Sequence, residues 1–480
     1  MLSGGNDADL HVKNRCPEAL RRVLSCVDAN TPVEYYAPFS GACDKGNVLI
    51  CLACISGCLC LVIANEPGVK AGALAMGSIR LIQRALVMAL RQRLPTVYLL
   101  QTAGLNLQED AESFVEIGKI FHSMANNTAA GIPSVALVYG TATAGGAYFV
   151  GLTDYAIFIN AQSQVFLAGP ELVFHAIGER NTADILGGVA VHEANGLADV
   201  CVATEREAVT ALHVYLDTLM WPKFEFGVAH QNARWLQWVD SGNNLVGGLV
   251  LALLDEGAKI YKPGYGANMF CCFGSIGDHA LGVIANNGPI DVAAAHKTCQ
   301  FIDRCVHVNV PLLFLMNTTG FQVGRDCERA GIIVAGSRLI QHMSNAKLPK
   351  ITLQIGSGYG AGYYAMCGRS FSPDVLLSWP SARVDVMGAE VVANLMLSIK
   401  SRSYRRQGKT FTAAAKQKCY DAFYQRYNAR SDSLAISSKS FDDGIIAPED
   451  TPQVLAFWLA VFAHAKHVAI RPHRFGLSRV

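Results

Sequence analysis

The stretch IPSVALVYGTATAGGAYF, residues 132–149, decides the fold, together with a second stretch of the same pattern, LPKITLQIGSGYGAGYYA, residues 348–365. Each begins with an aliphatic residue, a proline and a short apolar run, and then changes to small residues around a glycine-rich turn. A proline at the first position of a strand removes no ladder hydrogen bond, and glycines let the backbone turn closely. The pattern predicts a buried strand, a tight turn and the start of a helix in each half of the chain.

The two stretches belong to a longer internal repeat. The spacing from Ile132 to Leu348, called here the repeat offset, also relates LPTVYLLQTAG from Leu94 to VPLLFLMNTTG from Val310. Two further pairs recur in the same order at almost the same spacing: LVIAN from Leu61 with GVIAN from Gly282, and VFLAGPELV from Val165 with VDVMGAEVV from Val384. Recurrence at nearly constant spacing indicates a duplicated structural unit. We predict two homologous α/β domains, residues 1–222 and 223–480.

The composition limits the class of protein. The chain has 480 residues, of which 51% are hydrophobic and 16% are charged. It exceeds the usual size of a single core and must bury large areas, including interfaces between chains, so we expect a large oligomer. Its 40 basic and 38 acidic residues give a formal net charge of +2, which provides no bulk attraction to nucleic acid or to an anionic membrane.

The fifteen cysteines predict a reducing compartment, because most lie in apolar runs and no secretory signal segment precedes them. Cys51, Cys54, Cys58 and Cys60 have spacings found in zinc sites. Their neighbours are apolar and no second ligand pair follows, so buried thiols are the favoured interpretation. The uncharged run 48–64 is interrupted by Ser56-Gly57, which predicts two strands and a turn in place of a membrane span.

The glycine-rich turns carry the candidate chemistry. Backbone N–H groups at the start of a helix have no intrahelical acceptor and favour negative charge. We expect the amides of Gly145 and Gly146 to bind an oxyanion, and the repeat offset places Ala361 and Gly362 in the same role in the second half. A single glycine-rich turn also serves close packing of a strand and a helix, and the duplication favours the functional interpretation.

This turn resembles the oxyanion-hole segment of the crotonase superfamily, and further motifs narrow the resemblance. Six further strings resemble motifs of one family: NNG from Asn286, NTTGFQVGR from Asn317, GAGYYAMCGRSFSP from Gly360, WPSARVDVMGAE from Trp379, FDDGIIAPEDT from Phe441 and RFGL from Arg474. That family is the carboxyltransferase (beta) subunit of biotin-dependent acyl-CoA carboxylases. The most similar branch is the beta chain of methylcrotonyl-CoA carboxylase. The resemblance covers nearly the whole chain and is denser in its second half.

The resemblance implies two tandem domains of the ClpP/crotonase type, each a β-β-α superhelix. It implies a reaction in which carboxybiotin, carried on a biotin carboxylase/biotin carrier alpha subunit, enters between the first domain of one subunit and the second domain of another. The acyl-CoA loses a proton to the biotin ureido nitrogen and gains CO₂, while the two amide pairs stabilise oxyanions. The resemblance also implies a homo-oligomer of dimers, arranged as a trimer of dimers, and no bound metal. It implies a location in the mitochondrial matrix or the bacterial cytoplasm.

The resemblance also implies residues that bind substrate. They are Lys70, Arg80, Arg84, Gly104, Ala147, Gly169, Pro170, Phe321, Gly360 and Tyr363. The three basic residues are expected to contact CoA phosphates, and the spacing of four places Arg80 and Arg84 on one helix face. A solvated helix face is the alternative for these two arginines.

The first repeat departs from the family pattern where CoA is expected to dock. Lys70 is followed by AGALAMGSIRLIQ, so that a lysine pair becomes Arg80 and Leu81, and the loop LQEDAESF is short. A catalytically reduced paralogue that serves as a structural subunit is therefore one alternative, and a biotin-dependent acyl-CoA decarboxylase subunit is another. A hydratase or isomerase would need a pair of acid and base carboxylates near Gly145, and we find none in the sequence. The chain has no Ala-Met-Lys-Met-like motif, so biotin is expected on a partner.

Overall fold

The structure is a computed structural model that describes residues 5–38, 47–106, 108, 111–226, 233–241, 246–286 and 288–472. Several sequence features therefore lie wholly or partly outside the described residues. They are Asn287 of the NNG motif, the RFGL motif at 474–477, residues 107, 109 and 110 of the short loop, and residues 227–232, which follow the predicted domain boundary.

Contacts divide the chain into two compact units. The first comprises Met1–Phe226 and Ala460–Val480, and the second comprises Gly227–Leu459. The change of unit at residue 226 lies close to the boundary that the repeat predicts at 222. The domain limits 1–222 and 223–480 stay a prediction, and the residues from 460 onward pack with the first unit.

The elements of the first unit alternate between strands and helices along most of its length, as the prediction of an α/β domain requires. The strands are β1 (Val33–Tyr35), β2 (Val48–Ile55), β3 (Cys58–Asn65), β4 (Thr96–Thr102), β5 (Ser134–Thr143), β6 (Tyr155–Ile159), β7 (Gln164–Phe166) and β8 (Val200–Val202). The helices are α1 (Gly5–Arg15), α2 (Pro17–Cys26), α3 (Met76–Gln92), α4 (Ala111–Ala129), α5 (Gly145–Gly151), α6 (Pro170–Ile177), α7 (Ala183–Gly187), α8 (Val189–Ala194) and α9 (Glu205–Thr218).

The second unit repeats this order and adds a pair of long helices. Its strands are β9 (Lys259–Ile260), β10 (Met269–Ile276), β11 (His279–Asn286), β12 (Leu312–Thr318), β13 (Lys350–Tyr359), β14 (Val375–Ser378) and β15 (Arg383–Asp385). Its helices are α10 (Ala233–Ser241), α11 (Val246–Leu253), α12 (Val292–Val308), α13 (Arg325–Arg329), α14 (Ile332–Asn345), α15 (Gly360–Ala365), α16 (Ala389–Arg406), α17 (Ala413–Arg430) and α18 (Ser433–Ser437); α19 (Thr451–His467) extends into the first unit.

Each unit is built on one mixed sheet. In the first, the strand order is β1-β2-β3-β4-β5-β6-β8, with β7 paired to the end of β5; in the second, it is β14-β13-β12-β11-β10-β9, with β15 paired to β13. The pairs β3–β4, β4–β5 and β5–β6 are parallel, as are β11–β12, β12–β13 and β13–β14. Helices cross between these strands, and the apolar strands are buried, as a parallel sheet requires.

The uncharged run forms the predicted hairpin. β2 and β3 pair antiparallel along their whole length, from Val48 opposite Asn65 to Ile55 opposite Cys58. Ser56 and Gly57 make the turn with positive φ angles of 51° and 71°, and the Asp28 carboxylate accepts hydrogen bonds from both of their N–H groups at 2.8 and 2.6 Å. A two-residue turn of this handedness matches the twist of the strands.

The prolines lie where the sequence predicts them. Pro95, Pro133, Pro311 and Pro349 immediately precede β4, β5, β12 and β13, and the carbonyl of each accepts an N–H from the neighbouring strand. None of the helices in the described part of the chain combines the length and apolar character that a bilayer-spanning segment needs.

Candidate active site: two amide pockets

The two repeats share a turn at the carboxyl ends of their central strands. β4 and β5 shift register between Leu100 and Thr102, and β12 and β13 shift register between Met316 and Thr318. In each turn the threonine hydroxyl accepts the N–H of the glycine two residues later, Thr102 from Gly104 and Thr318 from Gly320, both at 3.1 Å. The same hydrogen bond at positions related by the repeat offset shows that the sequence repeat is also a structural one.

Gly104 and Gly320 have positive φ angles of 83° and 116°. The carbonyl of Gly104 accepts the N–H of Leu74 at 2.7 Å, and that of Gly320 accepts the N–H of Ile290 at 2.9 Å. These contacts fasten each turn to the residues just before an earlier helix, α3 in the first unit and α12 in the second. The left-handed conformation explains why glycine stands at both positions.

The first amide pocket lies at the start of α5. Ala144 has an unusual backbone conformation, with φ of 51° and ψ of −122°, and its N–H donates to the Phe166 carbonyl at 3.1 Å. The N–H of Ala147 donates to the Ala144 carbonyl at 3.1 Å. Between them, the amides of Gly145 and Gly146 have no hydrogen-bond acceptor among the described residues. Two adjacent main-chain donors are therefore available to a ligand.

The second pocket has the same construction at the start of α15. Gly360 opens the helix with a φ of 55°, and the amides of Ala361 and Gly362 likewise find no acceptor within the described chain. The N–H groups of Met366, Cys367 and Gly368 already bond to carbonyls of the same helix.

Steric contacts require glycine in the second place of each pair. A Cβ on Gly146 would lie 2.6 Å from Cγ2 of Thr102, and a Cβ on Gly362 would lie 2.7 Å from Oγ1 of Thr318 and 2.8 Å from Cα of Gly320. The donor pairs thus rest directly on the threonine turns.

A mostly apolar cavity of 970 Å³ opens beside Gly145. Helix α4 forms one wall with Phe114, Val115, Ile117, Gly118 and Phe121, and the other wall contains Tyr148, Leu167 and Leu172. The rings of Phe121 and Phe149 meet edge to face with centroids 5.6 Å apart, and Phe149 meets Tyr98 at 5.9 Å. This packing braces α5 from behind and makes the cavity suitable for an apolar chain.

The cavity beside Ala361 measures 620 Å³ and is more polar. Tyr363, Tyr364 and Val384 line it together with Arg369, Asp385 and Arg430. Arg430 forms a bidentate ion pair with Asp385 at 2.5 Å for both bonds, and these hydrogen bonds raise the pKa of the arginine. Arg369 and Lys439 also line this cavity, so cationic side chains as well as the Ala361 and Gly362 amides can face an anion here.

The predicted CoA-binding cations lie on the surface around α3. Lys70 is exposed, and its Nζ donates to Oε1 of Gln108 at 3.3 Å. Arg80 is exposed and pairs with Glu112 at 3.0 Å, whereas Nε of Arg84 donates to the hydroxyl of Tyr36 at 3.0 Å. The two arginines therefore have different partners, although they lie one helical turn apart.

Of the other predicted substrate-binding residues, six lie at the two pockets and Phe321 does not. Gly169 and Pro170 begin α6 and line the first cavity, Gly104 and Ala147 border the first amide pair, and Gly360 and Tyr363 line the second cavity. Phe321 instead packs on the second core, where its ring would meet a Cβ on Gly336 at 3.0 Å, and it is not among the residues that line the second cavity.

The described cysteines are free thiols, and most are buried. Burial raises the pKa of Cys54 to about 12 and also raises the pKa of Cys51, Cys58 and Cys60, which opposes the thiolate form that zinc binds. Within the described ranges, no three His, Cys, Asp or Glu side chains are grouped as metal ligands. His192 is buried, and its Nε2 contacts the Val165 carbonyl at 2.6 Å.

The sequence did not single out several residues that shape these pockets. Thr102 and Thr318 could have been found, because the repeat offset relates them and each closely precedes its glycine turn. The wall formed by Phe121 and Gly118 and the ion pair of Arg369 with Asp443 gave no comparable signal, since each depends on contacts that are distant along the chain.

Comparison with known proteins gives one consistent family. The family model described as the carboxyl transferase domain matches residues 46–241 and 249–475. A probable methylcrotonoyl-CoA carboxylase beta chain, mitochondrial, from Drosophila melanogaster is 34% identical over 469 residues, which cover 91% of this chain and 80% of that protein. A probable biotin-dependent acyl-coenzyme A carboxylase beta2 subunit from Mycobacterium tuberculosis is 33% identical over 463 residues, covering 92% and 87% of the two chains.

A solved structure matches along nearly the full chain. The beta subunit of geranyl-CoA carboxylase from P. aeruginosa superposes with a TM-score of 0.89 at 29% identity and covers 99% of this chain and 93% of that one. This match confirms the predicted fold of two tandem crotonase-like domains.

Proposed function

Because the chain belongs to the carboxyl transferase domain family and is a carboxyltransferase subunit of the acyl-CoA carboxylase type, we propose that its two amide pockets perform the transfer. The substrate class that we propose is a branched or unsaturated acyl-CoA of the 3-methylcrotonyl type. The names of its relatives, a methylcrotonoyl-CoA and a geranyl-CoA carboxylase beta subunit, support this class.

The observation that carries the proposal is the duplication of the donor geometry. In both repeats a threonine-braced turn supports two adjacent amides that have no acceptor in the described chain. Carboxyl transfer between a thioester and a cyclic urea places negative charge on one oxygen of each partner. Two preorganised donor pairs match two developing charges, and removal of one such donor typically costs about 3 kcal/mol of transition-state stabilisation.

Biotin carried on a partner supplies the carboxyl group and a basic ureido nitrogen. The second cavity fits a ring of that kind, since Tyr363, Tyr364 and Val384 offer apolar walls beside the Ala361 and Gly362 amides. These amides would hold the ureido oxygen. The residues of this chain orient the ring and stabilise charge, and no side chain is required as the base.

The first cavity suits the acyl group. Its walls are aliphatic and aromatic, and the amides of Gly145 and Gly146 lie at its edge, where they would hold the thioester oxygen as it becomes an enolate. Gly104, Ala147, Gly169 and Pro170 shape the same region. We place Lys70, Arg80 and Arg84 near the CoA phosphates, where Arg80 would exchange its exposed Glu112 partner for a phosphate.

The partners follow from the same reasoning. We propose that a biotin carboxylase/biotin carrier alpha subunit supplies carboxybiotin, and that copies of this chain assemble as a trimer of dimers in which the first domain of one copy faces the second domain of another. The exposed apolar side chains around the first cavity, such as Phe114 and Leu172, support burial against a second copy. We also propose a mitochondrial matrix or bacterial cytoplasmic location, which is supported by one relative named as mitochondrial and another that comes from a bacterium.

The direct test is carboxyl transfer by the purified full chain. The chain is mixed with a carboxylated biotin carrier whose carboxyl group is isotopically labelled, and with acetyl-, propionyl-, 3-methylcrotonyl- and geranyl-CoA in separate reactions. We expect label to move to 3-methylcrotonyl- or geranyl-CoA far faster than to acetyl-CoA. The measured quantity is acid-stable label on the thioester per protomer.

Absence of transfer to every thioester would contradict the proposal. Stable co-assembly with the alpha subunit in that case would identify the structural paralogue. The decarboxylase would be identified by transfer from a carboxylated thioester to biotin without transfer in the opposite direction, even when the carboxylated carrier is supplied in excess.

A further inference from the structure

The segment that follows α15 is held by an ionic clamp formed by Arg369 and Asp443. We propose that these two are positioning residues, which fix Tyr363 and through it the amides of Ala361 and Gly362 in the geometry needed for transfer. This inference rests on the proposed function, because it assigns a support to one of the two amide pockets.

Arg369 makes three contacts that fix its position. Its Nη2 donates to Oδ2 of Asp443 at 2.7 Å, and its Nε donates to the carbonyl of Phe441 at 3.2 Å. Its main-chain N–H donates to the hydroxyl of Tyr363 at 3.0 Å. One residue thus connects the tyrosine that follows the amide pair to a loop that is distant along the chain.

Asp443 anchors the clamp to the sheet. Its side chain is 1% exposed, and the same Oδ2 accepts the N–H of Leu376 in β14 at 2.8 Å. The N–H of Asp443 donates to the Leu376 carbonyl at 2.6 Å. Because the carboxylate is buried and bonded on two sides, it holds the guanidinium in one orientation with little screening by water.

The Tyr363 ring has little room to move. A Cβ on Gly368 would lie only 2.2 Å from ring carbon Cε1, and the N–H of Gly368 donates to the Tyr363 carbonyl at 2.9 Å. Tyr363 follows Gly362 directly in the chain, so a ring that is held in place limits how far the backbone of Gly362, the second donor of the pair, can shift. The sequence Gly368-Arg369 therefore packs under the ring and ties it at its hydroxyl.

The first repeat has no counterpart of this clamp among its described residues. Ala147 takes the place of Tyr363 at the repeat offset. The matching carboxylates, Asp154 and Asp374, both accept the N–H that begins a central strand, but Asp374 lies further beyond its helix than Asp154 does. The longer connection includes Arg369. Aromatic packing of Phe149 supports α5 instead, so the ionic support is specific to the second pocket.

The test compares Arg369→Met, Arg369→Lys and Tyr363→Phe in the complete complex. Arg369→Met should lower kcat for transfer between ten- and a hundredfold, since displacement of a reacting group by about 1 Å can cost that much. The KM for acyl-CoA should stay unchanged, because the first pocket is untouched. Arg369→Lys should restore part of the loss, and Tyr363→Phe should lower kcat by a smaller factor. Arg21→Met, which removes another arginine paired with two carboxylates, serves as the matched control and should keep wild-type kcat.

Hydrogen exchange gives a readout that does not depend on activity. Amides of residues 360–366 should exchange faster in Arg369→Met than in the wild-type chain or in Arg21→Met. Wild-type kcat together with unchanged exchange in folded Arg369→Met would overturn the inference. If that variant does not fold, unchanged kcat and exchange in Tyr363→Phe would overturn it equally. A wild-type complex without transfer activity would refute the proposed function alone, and the exchange comparison would still decide the clamp.

Discussion

Gly146 and Gly362 show how a single hydrogen atom in place of a side chain shapes this site. Each rests against the threonine of its turn, at distances where a methyl group cannot fit without moving backbone or a short, braced side chain. The sequence identified these two glycines as candidate oxyanion-binding residues because they recur at the repeat offset. The repeat offset also relates Thr102 to Thr318, but the close contact of each threonine with its glycine depends on the tertiary structure and could not be predicted.

Gly146→Ala and Gly362→Ala should each lower kcat by about 100-fold or more, since the added methyl displaces one donor of its pair. Thermal melting of both variants should remain cooperative. Transfer kinetics of the two variants, compared with Gly151→Ala, measure the effect. Gly151 ends α5 and an added Cβ there meets nothing within 4 Å, so its variant should retain wild-type kinetics. Equal activity of all three variants would contradict the assignment of the amides.

Arg369 marks the limit of prediction at the residue scale. The motif that contains it was recognised as typical of the family, as was the motif with Asp443. Neither motif indicates that the two side chains meet, because they are distant along the chain and the pairing depends on how β14 lies in the sheet. Long-range ion pairs of this kind have no periodicity that a single sequence would reveal.

At the scale of elements, the strands and turns were predictable and the pocket walls were not. The change from an apolar run to small residues predicted β5 and α5, and the uncharged run predicted the β2–β3 hairpin. No sequence motif singled out helix α4, although its Phe114–Phe121 face lines the first cavity. The departures from the family pattern drew attention to α3, whose arginines instead contact Glu112 and Tyr36.

Helix α4 offers a way to test the size of the acyl cavity. A Cβ on Gly118 would meet nothing within 4 Å, so Gly118→Leu should fold normally and project its side chain into the cavity. Replacing a helical glycine also favours the helix by up to about 1 kcal/mol. Transfer to a long acyl-CoA such as geranyl-CoA should fall at least tenfold, whereas transfer to a short one should change less than threefold, because only the long chain needs that volume.

The matched control is Ala125→Leu, on the exposed part of the same helix and outside the cavity. It should leave the ratio of the two kcat/KM values at the wild-type level. An equal loss for long and short substrates in Gly118→Leu would mean that the acyl chain does not enter this cavity.

At the scale of the whole molecule, the duplication was the most informative sequence feature. The constant repeat offset predicted two α/β units, and both sheets have the strand order and the register shift that a common ancestor implies. The sequence could not predict that residues from 460 onward pack with the first unit, because this depends on where α19 ends in space. The differences between the two cavities also arise only from tertiary contacts.

Asp442 links the stability of the second unit to pH. Burial raises its pKa to about 6, and the negative charge of the neighbouring Asp443 raises it further. The folded chain therefore keeps this proton where an unfolded chain has lost it. The resulting stability is fully present below a pH of about 4 and is lost as pH rises to about 6, amounting to about 3 kcal/mol.

Asp442→Asn removes this titration, because the amide is neutral at every pH. Urea unfolding should give similar stabilities for the variant and the wild-type chain near pH 4, and a more stable variant at pH 8, by up to about 3 kcal/mol. A difference that stays constant from pH 4 to pH 8 would show that Asp442 does not titrate in this range.

The bond between threonine hydroxyl and glycine amide gives both repeats the same arrangement of main-chain donors. Since the donors are main-chain atoms, the side chains that line the two cavities can differ while each repeat keeps the same pair of amides. The first cavity is lined mainly by aromatic and aliphatic side chains, whereas the second combines two tyrosines with charged side chains. A duplicated backbone turn can therefore be combined with two cavities of different chemical character.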